Sequence, residues 1–287
     1  MLGTDIQRVG VLGCGLMGSG IAEVCARKGR QVTVVEVDAA AVERGRAKVK
    51  ASLDAAHARN KISGEDLDAA LANLHFTDDI SEFADRQLVI EAVLEDPIAK
   101  VEAFAKLDAV AGPEAILASN TSSIPIMKLA TATGRPSQVV GLHFFNPVPV
   151  LPLVEVVPSL LTGADTVDAV RSFSHDVLGK HVILSQDRAG FIVNALLIPY
   201  LLSAIRMLES GFATAADIDQ GMVQGCAHPL GPLALADLIG LDTTMAVAES
   251  MYAEFKEPLY APPPLLSRMV EAGLLGRKSG RGFHQYK

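Results

Sequence analysis

The stretch that decides the fold is RVGVLGCGLMGSGIA, residues 8–22. A short apolar run from Arg8 to Leu12 ends in a glycine-rich turn, and a helical pattern follows from Leu16 to Lys28. A second β-rich run covers residues 31–37. The stretch therefore predicts a strand, a helix and a second strand, which together form one βαβ unit.

The same alternation continues along the chain. A helical stretch follows Asp38 and ends near Ile62, and another helix is expected around 167–178. Short apolar runs bounded by turn residues predict further strands at 73–77, 88–92, 116–118, 139–145, 153–157 and 181–184. Strands that alternate with helices predict an α/β fold with a doubly wound, mostly parallel sheet of the Rossmann type.

From Ala189 onward the pattern is only helical. Helices are predicted at 189–210, from a capping box that starts at Thr214, at 232–255 and at 265–272. We therefore expect two domains, a sheet domain over residues 1–186 and an all-helical domain over residues 187–287. The helix at 189–210 is apolar nearly all round, so we expect it to be buried on every side and to favour a homodimer through this domain.

The composition excludes several classes of protein. The chain has 25 basic and 33 acidic residues, a net charge of −8, which argues against nucleic acid or an anionic membrane as the main partner. The apolar stretch 189–208 contains Asn194, Pro199 and Arg206, so we expect a buried helix instead of a membrane span. Three cysteines without paired spacing predict neither disulfides nor a metal site. With no secretory signal at the N-terminus, we expect a cytoplasmic protein.

The glycine-rich turn predicts a dinucleotide site. A lone GxGxxG is weak, but this one follows a strand, opens a helix and precedes Asp38 by 20 residues. A carboxylate there accepts hydrogen bonds from ribose hydroxyls and repels a 2′-phosphate, which favours NAD over NADP. Glu36 also lies near the strand end, but we favour Asp38. The alternative is a ligand-free turn beside a surface carboxylate. The predicted cofactor residues of this segment are Gly13, Gly15, Leu16, Met17, Gly18 and Asp38.

A buried carboxylate points to a catalytic pair. Glu155 lies in the middle of an apolar strand, where an unpaired charge would cost several kcal/mol. His143, 12 residues earlier across a Pro-rich turn, is the obvious partner, and such a pair fixes the tautomer of the imidazole. The alternatives are a backbone or Arg partner for Glu155 and a core role for His143.

Two further polar sites are less specific. The turn at 119–123 should lie at the same edge of the sheet, but the spacing does not choose between Ser119 and Ser122. Asn194 either reaches into a cleft or is a satisfied core amide.

Several motifs together resemble the 3-hydroxyacyl-CoA dehydrogenases almost from end to end. They are GCGLMGSGIA at 13–22, SNTSS at 119–123, GLHFFNPVPV at 141–150, LVEVV at 153–157, GFIVNALLIPYL at 190–201, HPLGPLALADLIGLDT at 228–243 and GRKSGRGFHQY at 276–286. The chain is most similar to the stand-alone bacterial members that act on 3-hydroxybutyryl-CoA.

The resemblance implies an activity and roles for single residues. The activity is the reversible, NAD-dependent oxidation of short-chain (S)-3-hydroxyacyl-CoA to 3-ketoacyl-CoA, as in the β-oxidation of fatty acids. His143 would be the general base and Glu155 its orienting carboxylate, with Ser122 and Asn194 binding substrate. Further contacts to the cofactor are implied for Glu95, Lys100, Asn120, Ser122, Asn146 and Lys278.

The coenzyme A end is expected near residues 39–61, which carry six basic against two acidic side chains. Such a run is also typical of a solvated helix face. The resemblance favours a grip on the 3′-phosphate of coenzyme A, with Ser52 and Arg59 near the contact positions.

Two other functions stay open. A dehydrogenase of a free hydroxy acid would need a cationic clamp beside His143, and the segment 141–150 contains no Arg. A protein that binds NAD without turnover would need neither His143 nor Glu155.

Overall fold

One eight-stranded sheet forms the first part of the protein. The computed structural model describes residues 3–286. The strand order in the sheet is β3-β2-β1-β4-β5-β6-β7-β8. The strands are β1 Arg8–Leu12, β2 Gln31–Val35, β3 Leu74–Thr77, β4 Leu88–Glu91, β5 Ile116–Ser119, β6 Val139–Phe144, β7 Leu153–Pro158 and β8 His181–Leu184.

The predicted mostly parallel sheet is confirmed. Every pair of neighbouring strands is parallel except β6 and β7, which are antiparallel. β1 lies between β2 and β4, so the strand order reverses at β1. In sheets of this kind a crevice opens at that point beyond the carboxyl ends of the strands, and ligands bind there.

Helices cover the sheet, which explains why its strands read as apolar runs. All residues of β4, β5 and β6 are buried, as expected where both faces of a sheet are covered. The helices are α1 Leu16–Arg27, α2 Ala39–Ala58, α3 Gly64–Ala72, α4 Pro97–Val110, α5 Ile126–Ala130 and α6 Ala164–Ser172. A π-helical turn, Phe173–Val177, continues α6.

The rest of the chain is helical. The protein divides into two compact units, of which the first ends at Asp187 and the second begins at Arg188. The helices of the second unit are α7 Val193–Glu209, α8 Ala215–Cys226, α9 Pro232–Ile239, α10 Leu241–Phe255 and α11 Pro264–Glu271. Their core includes Leu202, Leu233 and Met251, each fully buried.

The prediction of one helix over 232–255 was wrong. The segment forms α9 and α10, which meet at Gly240, where φ is +103°. Such a φ interrupts helical geometry and is accessible mainly to glycine. An isolated glycine inside a helical pattern is often tolerated, so the pattern alone did not show the break.

The expected burial of α7 on every side is not met within a single chain, and its burial in a homodimer stays a prediction. Ile198, Leu202 and Ile205 are buried in the core, whereas Leu196 is 74% exposed and Met207 is 42% exposed. The helix also begins at Val193, four residues later than predicted. Within residues 3–286, no helix combines the length and the apolar character that crossing a membrane requires.

Candidate active site

His143 and Glu155 face each other across two neighbouring strands. β6 and β7 pair so that these two residues are directly opposite, which puts their side chains on the same face of the sheet. The imidazole Nδ1 lies 2.7 Å from Oε2 of Glu155. His143 is 4% exposed and Glu155 is fully buried. The hairpin therefore gives the buried carboxylate its partner and fixes the orientation of the ring.

Ser122 contacts the other side of the imidazole. Its Oγ lies 3.1 Å from Nε2 of His143. Ser119, the other candidate in this turn, is fully buried and donates to Oε2 of Glu91 at 2.6 Å. The structure thus brings Ser122, His143 and Glu155 into one row, in which Ser122 is the partly exposed member.

The glycine-rich turn joins β1 to α1. A Cβ on Gly18 would lie 1.9 Å from the carbonyl oxygen of Gly13, so the packing of the turn requires glycine there. A Cβ on Gly15 would meet no atom within 4 Å. Leu16 is 65% exposed, and Met17 packs against the core. The turn is thus close-packed at Gly18 and open at Gly15.

The first turn of α1 can bind an anion. Gly15 precedes the helix, and within the described residues no side chain caps it. The N–H groups of a first helical turn have no partners within the helix, and the helix dipole adds positive potential there. Phosphate groups commonly bind at such ends.

Two carboxylates follow β2, and the structure gives them different positions. The strand ends at Val35, two residues earlier than predicted, so Glu36 is the first residue after it. Oε1 of Glu36 accepts the N–H of Cys14 in the glycine-rich turn at 2.5 Å. Asp38 instead caps α2, since its Oδ1 accepts the N–H of Ala41 at 2.7 Å.

Three other expected cofactor residues follow the carboxyl ends of β4, β5 and β6. Glu95 lies in the loop between β4 and α4, Asn120 directly after β5, and Asn146 shortly after β6. The amide oxygen of Asn120 accepts the N–H of Phe144 at 2.9 Å, which ties β5 to β6. Asn146 is exposed.

Three predicted residues remain, one in the sheet unit and two in the helical unit. Lys100 is 1% exposed, and its ammonium lies 2.6 Å from Oε1 of Glu91. Lys278 belongs to the helical unit, where it forms an ion pair with Asp242 at 2.6 Å. Asn194 is a partly exposed residue in the first turn of α7.

Family models match both units of the chain. Residues 8–188 match the NAD binding domain of 3-hydroxyacyl-CoA dehydrogenase, and residues 190–286 match its C-terminal domain. The chain belongs to the 3-hydroxyacyl-CoA dehydrogenase family.

The relatives are similar in sequence and structure to this dehydrogenase over nearly its full length. The chain is 58% identical to a 3-hydroxybutyryl-CoA dehydrogenase of Mycobacterium tuberculosis, covering 98% of this chain and 99% of the relative. The crystal structure of M. tuberculosis FadB2 has a TM-score of 0.97 at 58% identity, with 98% and 99% of the two chains covered. That of (S)-3-hydroxybutyryl-CoA dehydrogenase PaaH1 from Ralstonia eutropha has a TM-score of 0.93 at 44% identity, covering 99% and 100%.

The cofactor of the dehydrogenase is NAD, and the glycine-rich turn fits it. The open space at Gly15 and the uncapped start of α1 provide room and N–H donors for a pyrophosphate. Glu36 supplies a carboxylate beside the same turn. Exposed apolar side chains at Val37, Leu94 and Ile98 flank the loops that follow β2 and β4.

Two carboxylates gain importance from the structure. Sequence reasoning weighed Glu36 but favoured Asp38, and its predicted end of β2 lies two residues beyond the observed one. It did not consider Glu91, a charge at the end of an apolar strand that required a partner just as Glu155 did.

A basic cavity lies behind the loop that follows β6. Its volume is about 430 Å³, and four cations line it against one carboxylate, Asp66. Lys180 also donates to the carbonyls of Val148 and Leu151, which fixes the loop. Burial, and then the neighbouring Arg27, lower the pKa of Lys180. The four cations are Arg27, Lys28, Lys61 and Lys180.

Proposed function

We propose that the protein oxidises the 3-hydroxyl of short-chain (S)-3-hydroxyacyl-CoA, above all 3-hydroxybutyryl-CoA, to the 3-ketoacyl-CoA with NAD. The observation that carries the proposal is the row formed by Ser122, His143 and Glu155. In this row, Glu155 orients the buried imidazole of His143, and Nε2 of the imidazole faces the partly exposed hydroxyl of Ser122. The row belongs to the domain that binds NAD. The relatives named 3-hydroxybutyryl-CoA dehydrogenase support the choice of substrate.

In the proposed mechanism His143 is the general base. Its Nε2 takes the proton of the 3-hydroxyl while Ser122 holds the same oxygen by a hydrogen bond. Glu155 holds the Nδ1 proton and stabilises the imidazolium that forms. NAD, when bound, supplies the acceptor for the hydride from C3. Asn194 is proposed to bind the substrate as well. In the reverse direction His143 returns the proton. Because oxidation releases one proton, rising pH shifts the equilibrium toward the ketone.

For the ribose of the cofactor we propose Glu36 in place of Asp38. Glu36 lies against the glycine-rich turn, whereas one oxygen of Asp38 is engaged as the cap of α2. Either carboxylate disfavours a 2′-phosphate by charge repulsion. We also propose that Glu95, Asn120 and Asn146 line the cofactor's path along the carboxyl ends of the strands and that Lys278 approaches it.

The phosphates of coenzyme A are proposed to bind basic side chains at the C-terminal end of α2. Ser52 is exposed in α2, and Arg59 is exposed at the C-cap of the same helix, seven residues later. Lys61, two residues beyond Arg59, lines the basic cavity. Two of the other cations of the run are neutralised locally, because Arg46 pairs with Glu43 and Lys50 with Asp54.

The test is a direct assay with purified protein. With NAD and (S)-3-hydroxybutyryl-CoA we expect NADH absorbance to rise, faster than with NADP or with longer acyl chains. NADH from free 3-hydroxybutyrate but not from its CoA ester would instead indicate a hydroxy-acid dehydrogenase. NAD binding without any turnover would contradict an enzymatic function.

One geometric observation favours a second function. A serine, a histidine and a carboxylate in a row also activate serine nucleophiles for acyl transfer. In that case the protein would cleave the thioester and release free coenzyme A without NAD. Measuring free thiol in the same assay separates the two, and we expect none above the uncatalysed rate.

We further propose a homodimer through the helical unit and a place in the cytoplasm. Exposed apolar residues of that unit, among them Leu196 and Phe212, support the dimer. The described structure has three free cysteines, of which Cys14 and Cys25 are buried, and thiols persist in a reducing compartment. The acidic net charge disfavours nucleic acid and anionic membranes as partners.

A further inference from the structure

Glu91 and Lys100 form a fully buried ion pair next to the active site. Glu91 ends β4 and Lys100 lies in the first half of α4; they are 0% and 1% exposed. The ammonium lies 2.6 Å from Oε1 of Glu91, 3.3 Å from Oε2 of Glu95 and 3.4 Å from the carbonyl of Val93. An ammonium has three hydrogens. The ammonium donates to Glu91 and to the carbonyl of Val93, and Glu95 lies within ion-pair distance.

Glu91 connects this pair to the strand that precedes Ser122. Its Oε2 accepts the hydroxyl of Ser119 at 2.6 Å, and its Oε1 accepts the N–H of Val93 at 2.7 Å. Ser119 Oγ in turn accepts the N–H of Thr121 at 3.2 Å. We call residues 119–123 the serine turn. Glu91 thus holds the start of the serine turn.

Glu95 holds the rest of the serine turn. Its Oε1 accepts the hydroxyl of Thr121 at 2.6 Å and the N–H groups of Ser122 and Ser123 at 2.8 and 3.1 Å. Burial opposes the ionisation of Glu95, but the charge of Lys100 and the hydrogen bonds from the turn outweigh it, so the pKa of Glu95 lies below its usual range. Lys100 therefore favours the charged form of the carboxylate that orients Ser122.

Stability alone does not account for such a pair. A buried ion pair often contributes no more to stability than well-packed apolar residues of the same volume, because both charges lose their hydration. A charged network can, however, fix positions to within a fraction of an ångström, and misplacing a reacting group by about 1 Å costs up to about 100-fold in rate.

We propose that Glu91 and Lys100 are positioning residues of the dehydrogenase reaction, which act through Glu95 and the serine turn to keep Ser122 at His143. The proposal rests on the proposed function.

The test uses Lys100→Met and Glu91→Gln, each alone and combined with Ser122→Ala. Glu91→Gln keeps the volume and an acceptor for Ser119, so it provides a folded variant if Lys100→Met does not fold. Each single variant should lower kcat on 3-hydroxybutyryl-CoA about 10- to 100-fold, with less than a threefold change in the Kd of NADH. In the Ser122→Ala background the same substitutions should lower kcat by less than about twofold, because their effect passes through Ser122.

A matched control comes from the far end of α4. Arg135 pairs with Asp108 at 2.6 Å, and Asp108 lies two turns beyond Lys100 on the same helix. Arg135→Met should lower the melting temperature and leave kcat unchanged.

Three results would overturn the inference. They are a rise in the Kd of NADH with kcat unchanged, an effect on kcat that adds fully to that of Ser122→Ala, and a loss of stability alone, as in Arg135→Met. A wild-type enzyme without activity on 3-hydroxybutyryl-CoA would be a different failure, since it would remove the proposed function itself.

Discussion

Glu155 shows how much a single residue can reveal. A carboxylate in an apolar strand requires a partner, and this requirement was enough to predict that His143 lies beside it. The structure brings the two together at 2.7 Å. The same reasoning could not select Ser122, because the turn offers several hydroxyls. Only tertiary contacts distinguish them, those of Ser119 with Glu91 and of Ser122 with His143.

For this residue we predict that Glu155→Gln lowers kcat at least about 100-fold, with little change in the affinity for NAD. The amide cannot stabilise the imidazolium that forms during oxidation. Glu82→Gln is the matched control, since Glu82 lies 2.7 Å from Nε2 of His75 in an exposed pair. That variant should keep full activity in steady-state assays. An active Glu155→Gln enzyme would refute the role given to the buried pair.

A second prediction separates Glu36 from Asp38. Glu36→Gln should weaken NAD binding about tenfold, because one charged acceptor for the ribose is lost. Asp38→Asn should leave the affinity nearly unchanged and keep α2 capped, since Asn is as good a cap as Asp. Titration of both variants with NAD measures the two affinities. A larger loss of affinity in Asp38→Asn than in Glu36→Gln would show that Asp38 binds the ribose.

Whole elements were easier to predict from the sequence than their ends. The apolar runs of the sheet gave the correct number of strands, because the central strands are buried on both faces and are mostly apolar. Helix boundaries were less certain, since local pattern does not contain tertiary packing. The break at Gly240 depends on a positive φ, and the exposure of Leu196 depends on neighbours distant in sequence.

The glycine-rich turn between β1 and α1 allows a prediction about stability and NAD binding. Gly18→Ala should destabilise the fold by about 1–3 kcal/mol or more, because its Cβ would lie 1.9 Å from the carbonyl oxygen of Gly13. Gly15→Ala should unfold at nearly the wild-type temperature but bind NAD more weakly, because its Cβ enters space that protein atoms leave open. Thermal unfolding and NAD titration measure the two effects. Equal melting temperatures would contradict the packing argument.

For the whole molecule we predict a dimer of twice the 30.2 kDa chain mass. Leu196→Lys should shift it toward monomer in light scattering, because the charge would have to be buried at the interface. Leu160→Lys is the control: Leu160 is 95% exposed in the sheet unit, and its substitution should leave the mass unchanged. A wild-type monomer at micromolar concentration would disprove the assembly.

The buried Asp237 has a consequence for synthesis, because its donors lie 46 to 49 residues later in the chain. Asp237 is 1% exposed, and its oxygens accept the N–H groups of Phe283 and His284 and the hydroxyl of Tyr286. Until those residues leave the ribosome, α9 carries an acid with no donors from the tail. We therefore expect the helical unit to complete its packing only after translation has passed Tyr286.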